Sequence, residues 1–211
     1  MIKCILFDND GTLIDSEELG HRALAAELQA YQIIVSADSL RQRFSGWKLA
    51  FILDELSREY KTPLADTFFP QFRSRLTALF EQELQTIPHI PWALDNIHLK
   101  KAVVSGGPIE KIQQGLKVTG IGHHFEDRLV SSYEYNTWKP EPNIYWHALE
   151  FLGFNKEECL IVEDSDVGLE AGIKSGIKTL FYNPSGRRDF PKEASSFSCM
   201  KQLPGIINGF K

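Results

Sequence analysis

Near the start of this chain a mostly apolar run, residues 2–7, stops abruptly at Asp8-Asn9-Asp10-Gly11-Thr12. A short apolar run closed by a glycine turn reads as a buried strand. If that strand is central in an open parallel sheet, its carboxyl end faces the crevice where ligands bind. The i, i+2 spacing then sets both carboxylates on one side, with Asn9 between them. Neighbouring buried carboxylates repel, so at least one needs a cation or a proton. The stretch therefore predicts a bound metal, or a shared proton used in acid–base work.

The remainder of the 211 residues supplies such a sheet. Strand-like runs at 101–105, 129–131, 159–162 and 178–182 alternate with helical patterns at 109–118, 143–152 and 167–174. That alternation predicts an α/β fold, a parallel sheet with helices on both faces. Trp138-Lys139-Pro140-Glu141-Pro142 reads as a rigid loop, because its two prolines fix φ and bar helix. From Asn183 onward the pattern predicts loop and one weak helix.

A different pattern separates the first strand from the second. Residues from about 17 to 82 carry helical periodicity with no sustained alternation. Leu19, Ala23, Ala26 and Ala30 form one stripe, widened by Leu24, Leu28 and Tyr31. Leu40, Phe44, Leu49, Ile52, Leu53 and Leu56 form a second, and Phe68, Phe72, Leu76, Leu79 and Phe80 a third. Ser16 reads as the cap of the first helix, with acids in its opening turn. The block is an all-helical insertion of roughly 65 residues placed directly behind the acid pair.

Composition narrows the function classes. A net charge of −5 without a basic stripe argues against a nucleic-acid surface. No apolar stretch reaches the ~18 residues of a membrane span, and the first apolar run is too short for a signal peptide. Cys4, Cys159 and Cys199 lack metal-ligand or CxxC spacing and read as inert thiols, which suits a reducing cytoplasm. His123-His124 reads as loop surface rather than a metal pair. Gly120-Ile121-Gly122 lacks the third glycine and the strand–helix context of a dinucleotide site.

Four strands lead into polar groups: Asp8 and Asp10, then Ser105, then Lys139 in the loop after the third strand, then Glu163 and Asp164. A parallel sheet gathers all these ends on one edge. Acids with one hydroxyl and one lysine suit a phosphoryl group held between a divalent cation and an ammonium. Mg²⁺ takes a few carboxylates, retained waters and a phosphate oxygen. The Ser105-Gly106-Gly107 turn offers a hydroxyl and backbone N–H donors to an oxyanion.

Asp8-Asn9-Asp10-Gly11-Thr12, Ser105, Lys139-Pro140 and Glu163-Asp164-Ser165, in this order, resemble the four motifs of the haloacid dehalogenase (HAD) superfamily. The helical insertion resembles the C1 cap of its β-phosphoglucomutase/phosphoglycolate phosphatase branch. The resemblance spans the chain nearly end to end. It implies a Rossmann-like three-layer core of residues 1–15 and 84–211, with a helical cap at 16–83. It implies Asp8 as nucleophile through an aspartyl-phosphate, and Asp10 as general acid and then base. Asp8, the Asp10 carbonyl and Asp164 would hold Mg²⁺, with Glu163 orienting the ion's waters from behind. Ser105 and Gly106 would bind the phosphoryl oxygens, and Lys139 would neutralise them. Asn143 departs from the pattern, which often has an acid there, and so does the Ser-Gly-Gly turn; neither is a reacting group.

The cap segment Arg43-Phe44-Ser45-Gly46-Trp47-Lys48-Leu49 resembles the substrate-specificity loop of that branch, with Lys48 and then Arg43 as candidates for an anionic group on the substrate. The cap as a whole looks most like that of bacterial 6-phosphogluconate phosphatases. The reading is a Mg²⁺-dependent, cytoplasmic phosphatase of a small phosphorylated sugar or sugar acid, monomer or weak dimer, without nucleic-acid or membrane partner. The alternatives are a β-phosphoglucomutase-like mutase and a non-catalytic phospho-ligand-binding regulator. Mutases of that branch carry a cap histidine where this chain has Gly20, with His21 one place on. One place on a helix turns a side chain by about 100°. The intact acid set argues against the regulator.

Overall fold

A computed structural model describes residues 1–44 and 49–210. The chain divides into two compact units, Met1–Asp15 with Gln85–Lys211, and Ser16–Leu84.

The first unit is built on a six-stranded, wholly parallel sheet: β1 (Cys4–Phe7), β2 (Lys100–Ser105), β3 (Leu129–Ser131), β4 (Cys159–Glu163), β5 (Lys178–Tyr182) and β6 (Ser195–Phe197). The strand order is β3-β2-β1-β4-β5-β6. β1 therefore lies inside the sheet, at the point where the order reverses and open α/β sheets bind ligands. The pleat divides its side chains. Cys4 and Leu6 join Ala102, Val104, Val130, Cys159 and Ile161 in one core with Ile144, Tyr145 and Ala148. On the alternate register Phe7 meets Phe125 edge to face, their centroids 6.1 Å apart. Burial of alternate positions on both sides explains why β1 reads as a continuous apolar run.

The second unit holds α1 (Glu17–Gln29), α2 (Ala37–Phe44), α3 (Leu49–Tyr60) and α4 (Phe68–Glu83). Its buried residues include Leu19, Ala23, Leu24 and Leu28 of α1, Leu40 and Phe44 of α2, Ile52, Leu53 and Leu56 of α3, and Phe68, Phe72, Leu76 and Phe80 of α4. Ala30 departs from its expected stripe and is exposed, because α1 ends one residue earlier. Ser16 does not cap α1 through its side chain: its own backbone is already helical (φ −102°, ψ −13°) and not extended, as a capping residue's is. Leu84 falls with this unit, its N–H still donating to the Phe80 carbonyl.

Six helices complete the first unit: α5 (Ile90–Asp95), α6 (Ile109–Val118), α7 (Ser132–Tyr135), α8 (Asn143–Leu152), α9 (Asp166–Ser175) and α10 (Leu203–Asn208). The outgoing and returning chain lie side by side here. Asp15 N–H donates to the Gln85 carbonyl at 3.0 Å, and Ile87 N–H to the Leu13 carbonyl at 3.0 Å. The tail holds a strand, β6, where loop is expected. Of its three residues only Phe197 is buried, so too little pattern exists for a periodicity to register. Among the described residues no helix is long and apolar enough to cross a membrane.

Candidate active site

The acid pair stands where β1 ends. Asp8 N–H extends the β1–β4 ladder to the Val162 carbonyl, which fixes the backbone carrying its carboxylate. Gly11 follows at φ +84°, and a Cβ built there would lie 2.2 Å from Asp164 Oδ2. Only glycine allows both the left-handed turn and so close a carboxylate. Gly168 in α9 is required by space alone, since a Cβ there would fall 1.7 Å from Glu163 Oε1.

Lys139 binds the strand ends together. Its Nζ donates to Asp8 Oδ1 at 2.6 Å, to Glu163 Oε1 at 2.5 Å and more weakly to the Val104 carbonyl at 3.4 Å. Its side chain is 8% exposed, against 11% for Asp8 and 1% for Glu163. Two carboxylates and one ammonium in so dry a place leave an excess negative charge. Burial is the chief force that pushes the Asp8 carboxyl up to about 7; Lys139 opposes it, while Glu163 and Asp10 add to it. For Lys139, burial alone would favour the neutral amine, but Asp8 and Glu163 outweigh it and hold the ammonium well above its ordinary range. The buried Tyr145 ring lies 5.5 Å from the same ammonium, with its hydroxyl pushed up by burial.

Glu163 is consumed by structure. Its Oε2 accepts Asp164 N–H and Ser165 N–H, each at 2.8 Å, and the Ser165 hydroxyl at 3.0 Å. Ser165 in turn caps α9 through Gly168 N–H. Glu163 thereby fixes Lys139 on one side and the backbone of Asp164 on the other. The Asp164 carboxylate is set by the Thr12 hydroxyl, 2.6 Å away. Carboxylate oxygens of Asp8, Glu163 and Asp164 all lie within 4.8 Å of one another. Such an all-oxygen set fits a hard divalent cation such as Mg²⁺.

Ser105, at the end of β2, is 1% exposed and accepts Gly107 N–H at 3.1 Å. A hydroxyl that accepts there still has its own proton to give. The Ser131 hydroxyl holds this turn from β3 by donating to the Gly107 carbonyl at 2.7 Å. A Cβ on Gly106 would meet nothing within 4 Å.

Asp10 has a partner that sequence reasoning missed. Lys111, in the first turn of α6, places Nζ 2.7 Å from Asp10 Oδ1, both side chains about a quarter exposed at 27% and 26%. No motif points to it; only the fold of the Ser105-Gly106-Gly107 turn swings α6 over Asp10. Thr12, in the same motif, has a role that the sequence does not show, its bond to Asp164.

The cap candidates belong to the second unit. Arg43 is exposed and engaged within its own unit: Nη1 lies 2.5 Å from Glu59 and Nη2 3.5 Å from Glu55, with its guanidinium 4.6 Å from the Phe44 ring. Lys48 lies outside the described residues. Cys4 and Cys159 are buried and Cys199 partly so, all free thiols.

Comparison with known proteins agrees with the geometry. The haloacid dehalogenase-like hydrolase family profile matches residues 5–182. A 6-phosphogluconate phosphatase of Escherichia coli (strain K12) is 33% identical over 208 residues, covering 97% of this chain and 94% of its own length. A phosphoglycolate phosphatase of Aquifex aeolicus is 29% identical, covering 84% of this chain and 83% of its own. The crystal structure of CbbY from Rhodobacter sphaeroides in complex with phosphate superposes with a TM-score of 0.80 at 23% identity, covering 96% of each chain, a likeness of fold. With its parallel α/β core and its match from β1 to the end of β5, this chain belongs to the haloacid dehalogenase-like hydrolase family.

Proposed function

We propose that this HAD-family phosphatase is Mg²⁺-dependent and hydrolyses a small phosphorylated sugar or sugar acid of the 6-phosphogluconate kind through an aspartyl-phosphate on Asp8. The observation that carries the reading is the Lys139 ammonium shared between Asp8 and Glu163, beside the oxygen cluster completed by Asp164. The relative at 33% identity supports the substrate class.

Asp8, the Asp10 carbonyl and Asp164 are the groups that would hold Mg²⁺, which when bound supplies positive charge that keeps Asp8 ionised and screens the phosphate. The chain's own residues do the rest. Lys139 fixes the Asp8 carboxylate and cancels part of its charge, so a carboxylate can approach an anionic phosphorus. As the Asp8–phosphorus bond forms, the ester bond breaks, and Asp10 gives its proton to the departing oxygen. Ser105 and the N–H groups of its turn receive the phosphoryl oxygens. Asp10, now a base, takes a proton from water, which attacks the aspartyl-phosphate and frees inorganic phosphate and Asp8. Lys111 holds the Asp10 carboxylate between these steps. The enzyme acts in the cytoplasm as a monomer or weak dimer on a free metabolite, without nucleic acid or membrane.

A phosphatase screen with Mg²⁺ over 6-phosphogluconate, phosphoglycolate, glucose 6-phosphate and β-glucose 1-phosphate tests this. Phosphate release is expected, highest for 6-phosphogluconate. Conversion of β-glucose 1-phosphate to glucose 6-phosphate would put a mutase in its place, and silence towards every phosphomonoester would end the reading.

A further inference from the structure

Beside the start of β2, at the end away from Ser105, three potential ligands from distant positions converge. Asp95 closes α5, and His123 and His124 form part of the 3₁₀ turn Gly122–His124 between α6 and β3. One ligand atom from each lies within 4.8 Å of the other two. We propose that Asp95, His123 and His124 bind a divalent transition ion of the zinc type, a second metal site of different chemistry from the acid set.

Three observations carry it. Asp95 Oδ1 and His124 Nε2 are 3.4 Å apart. Two ligands on one tetrahedral Zn²⁺, each about 2.0–2.1 Å from the ion, sit about 3.3 Å apart, so this pair is already spaced for it. His123 Nδ1 lies 3.0 Å from the Gly120 carbonyl. That contact calls for the N–H on Nδ1 and leaves the Nε2 lone pair outward, the arrangement in which a backbone carbonyl orients a metal-binding imidazole. The two rings are neighbours, with centroids 4.0 Å apart.

Two cations stand near these ligands, the Lys101 ammonium, which faces Asp95 and His124, and the Arg128 guanidinium. Arg128, close by, is committed to Glu126, to the Lys101 carbonyl and to the His124 carbonyl. Two imidazoles and one carboxylate are a borderline donor set, which suits Zn²⁺, Ni²⁺ or Cu²⁺ over Mg²⁺. Three protein ligands leave one position for water, and the exposure of Asp95 and His123 lets the ion exchange with solution. The site would tie the end of α5 to the turn before β3. It was illegible because Asp95 lies far from the histidine pair in sequence, and a histidine pair alone in a loop is ordinary surface.

The test is a Zn²⁺ titration of the full chain in excess Mg²⁺, which occupies the acid set, read by calorimetry and by the histidine ring resonances. One Zn²⁺ per chain is expected, with the His123 and His124 rings shifting together. His123→Ala and His124→Gln should each weaken binding by about tenfold or more, while phosphatase turnover in Mg²⁺ stays at the wild-type rate. His123 is exposed, so its replacement leaves the fold intact and suffices if His124→Gln misfolds. Equal affinity in wild type and His123→Ala, unmoved ring resonances, or binding lost only in Asp164→Asn would overturn the proposal.

Discussion

The sheet edge of the core and the helices of the insertion use charge in opposite ways. At the sheet edge a few charges are buried and shared: Lys139, Asp8 and Glu163 are each at most 11% exposed, and one ammonium serves two carboxylates. In the insertion the pairs are mostly open to solvent, as in Arg22–Glu83, Arg58–Asp54 and Arg43–Glu59, each side chain 38% exposed or more. Buried charge is costly unless every group has its place, so it signals chemistry. Exposed pairs contribute little and leave the surface free to vary. The difference separates charges held in one arrangement from charges left free to solvent.

The largest effect expected is on turnover. Asp8→Asn keeps size and most contacts but removes the proposed nucleophile, so kcat should fall by a factor on the order of 10⁴ or more in a steady-state phosphate-release assay. A fall below tenfold would mean that the sheet-edge charges are structural, and the comparison would collapse.

Lys139→Met comes next and is read as stability. It strands Asp8 and Glu163 together without a cation, and breaking a buried pair costs about 3–5 kcal/mol. Urea unfolding in EDTA should show it. A loss under about 1 kcal/mol would place Lys139 among the surface pairs.

Asp8 gives a pH signature in the same metal-free protein. Its carboxyl titrates near 7 when folded and near 4 when unfolded, facing Lys139, Glu163 and Asp10. A raised carboxyl pKa means that the folded state keeps a proton the unfolded chain has lost. Asp8 therefore subtracts stability as pH rises from about 4 to about 7, and no further above that. Asp8→Asn lacks this loss, so its margin over wild type should widen across that window and then level off. A margin independent of pH would show that Asp8 is not desolvated as the geometry implies.

The same contrast explains what could be read beforehand. β1, the acid pair and Ser105 were legible because each is a short run with its chemistry attached. The convergence of Asp8, Lys139 and Asp164 followed from one rule about parallel sheets. Lys111 was not legible: a lysine in the first turn of a helix is usually solvated, and only the turn at Gly107 sets it on Asp10. β6 was lost because two of its three residues are exposed serines. In the insertion, periodicity located the buried faces, but exposed cations such as Arg43 carry no pattern that separates a ligand contact from a solvated pair.

Lys111→Met probes the border between the two regimes, since that pair is neither dry nor open. In the proposed mechanism its Asp10 partner protonates the leaving oxygen. A fall in kcat/KM of about tenfold, roughly 1.4 kcal/mol, is expected with little change in the unfolding midpoint. A stability loss without a kinetic one would move Lys111 to a purely structural role.

Arg43→Met should do least to the fold. Its pairs with Glu55 and Glu59 are about two-fifths exposed, so their removal should shift unfolding by less than about 1 kcal/mol. That weakness makes it informative. The buried Lys139 charge cannot be removed without disturbing the fold, whereas Arg43 can be removed almost silently, and any change in kcat/KM then reports on substrate alone. If 6-phosphogluconate turnover falls severalfold while glucose 6-phosphate turnover holds, Arg43 reads the acid group of the substrate. If both hold, its commitment to Glu59 is its whole role, and the anion is read elsewhere in the chain.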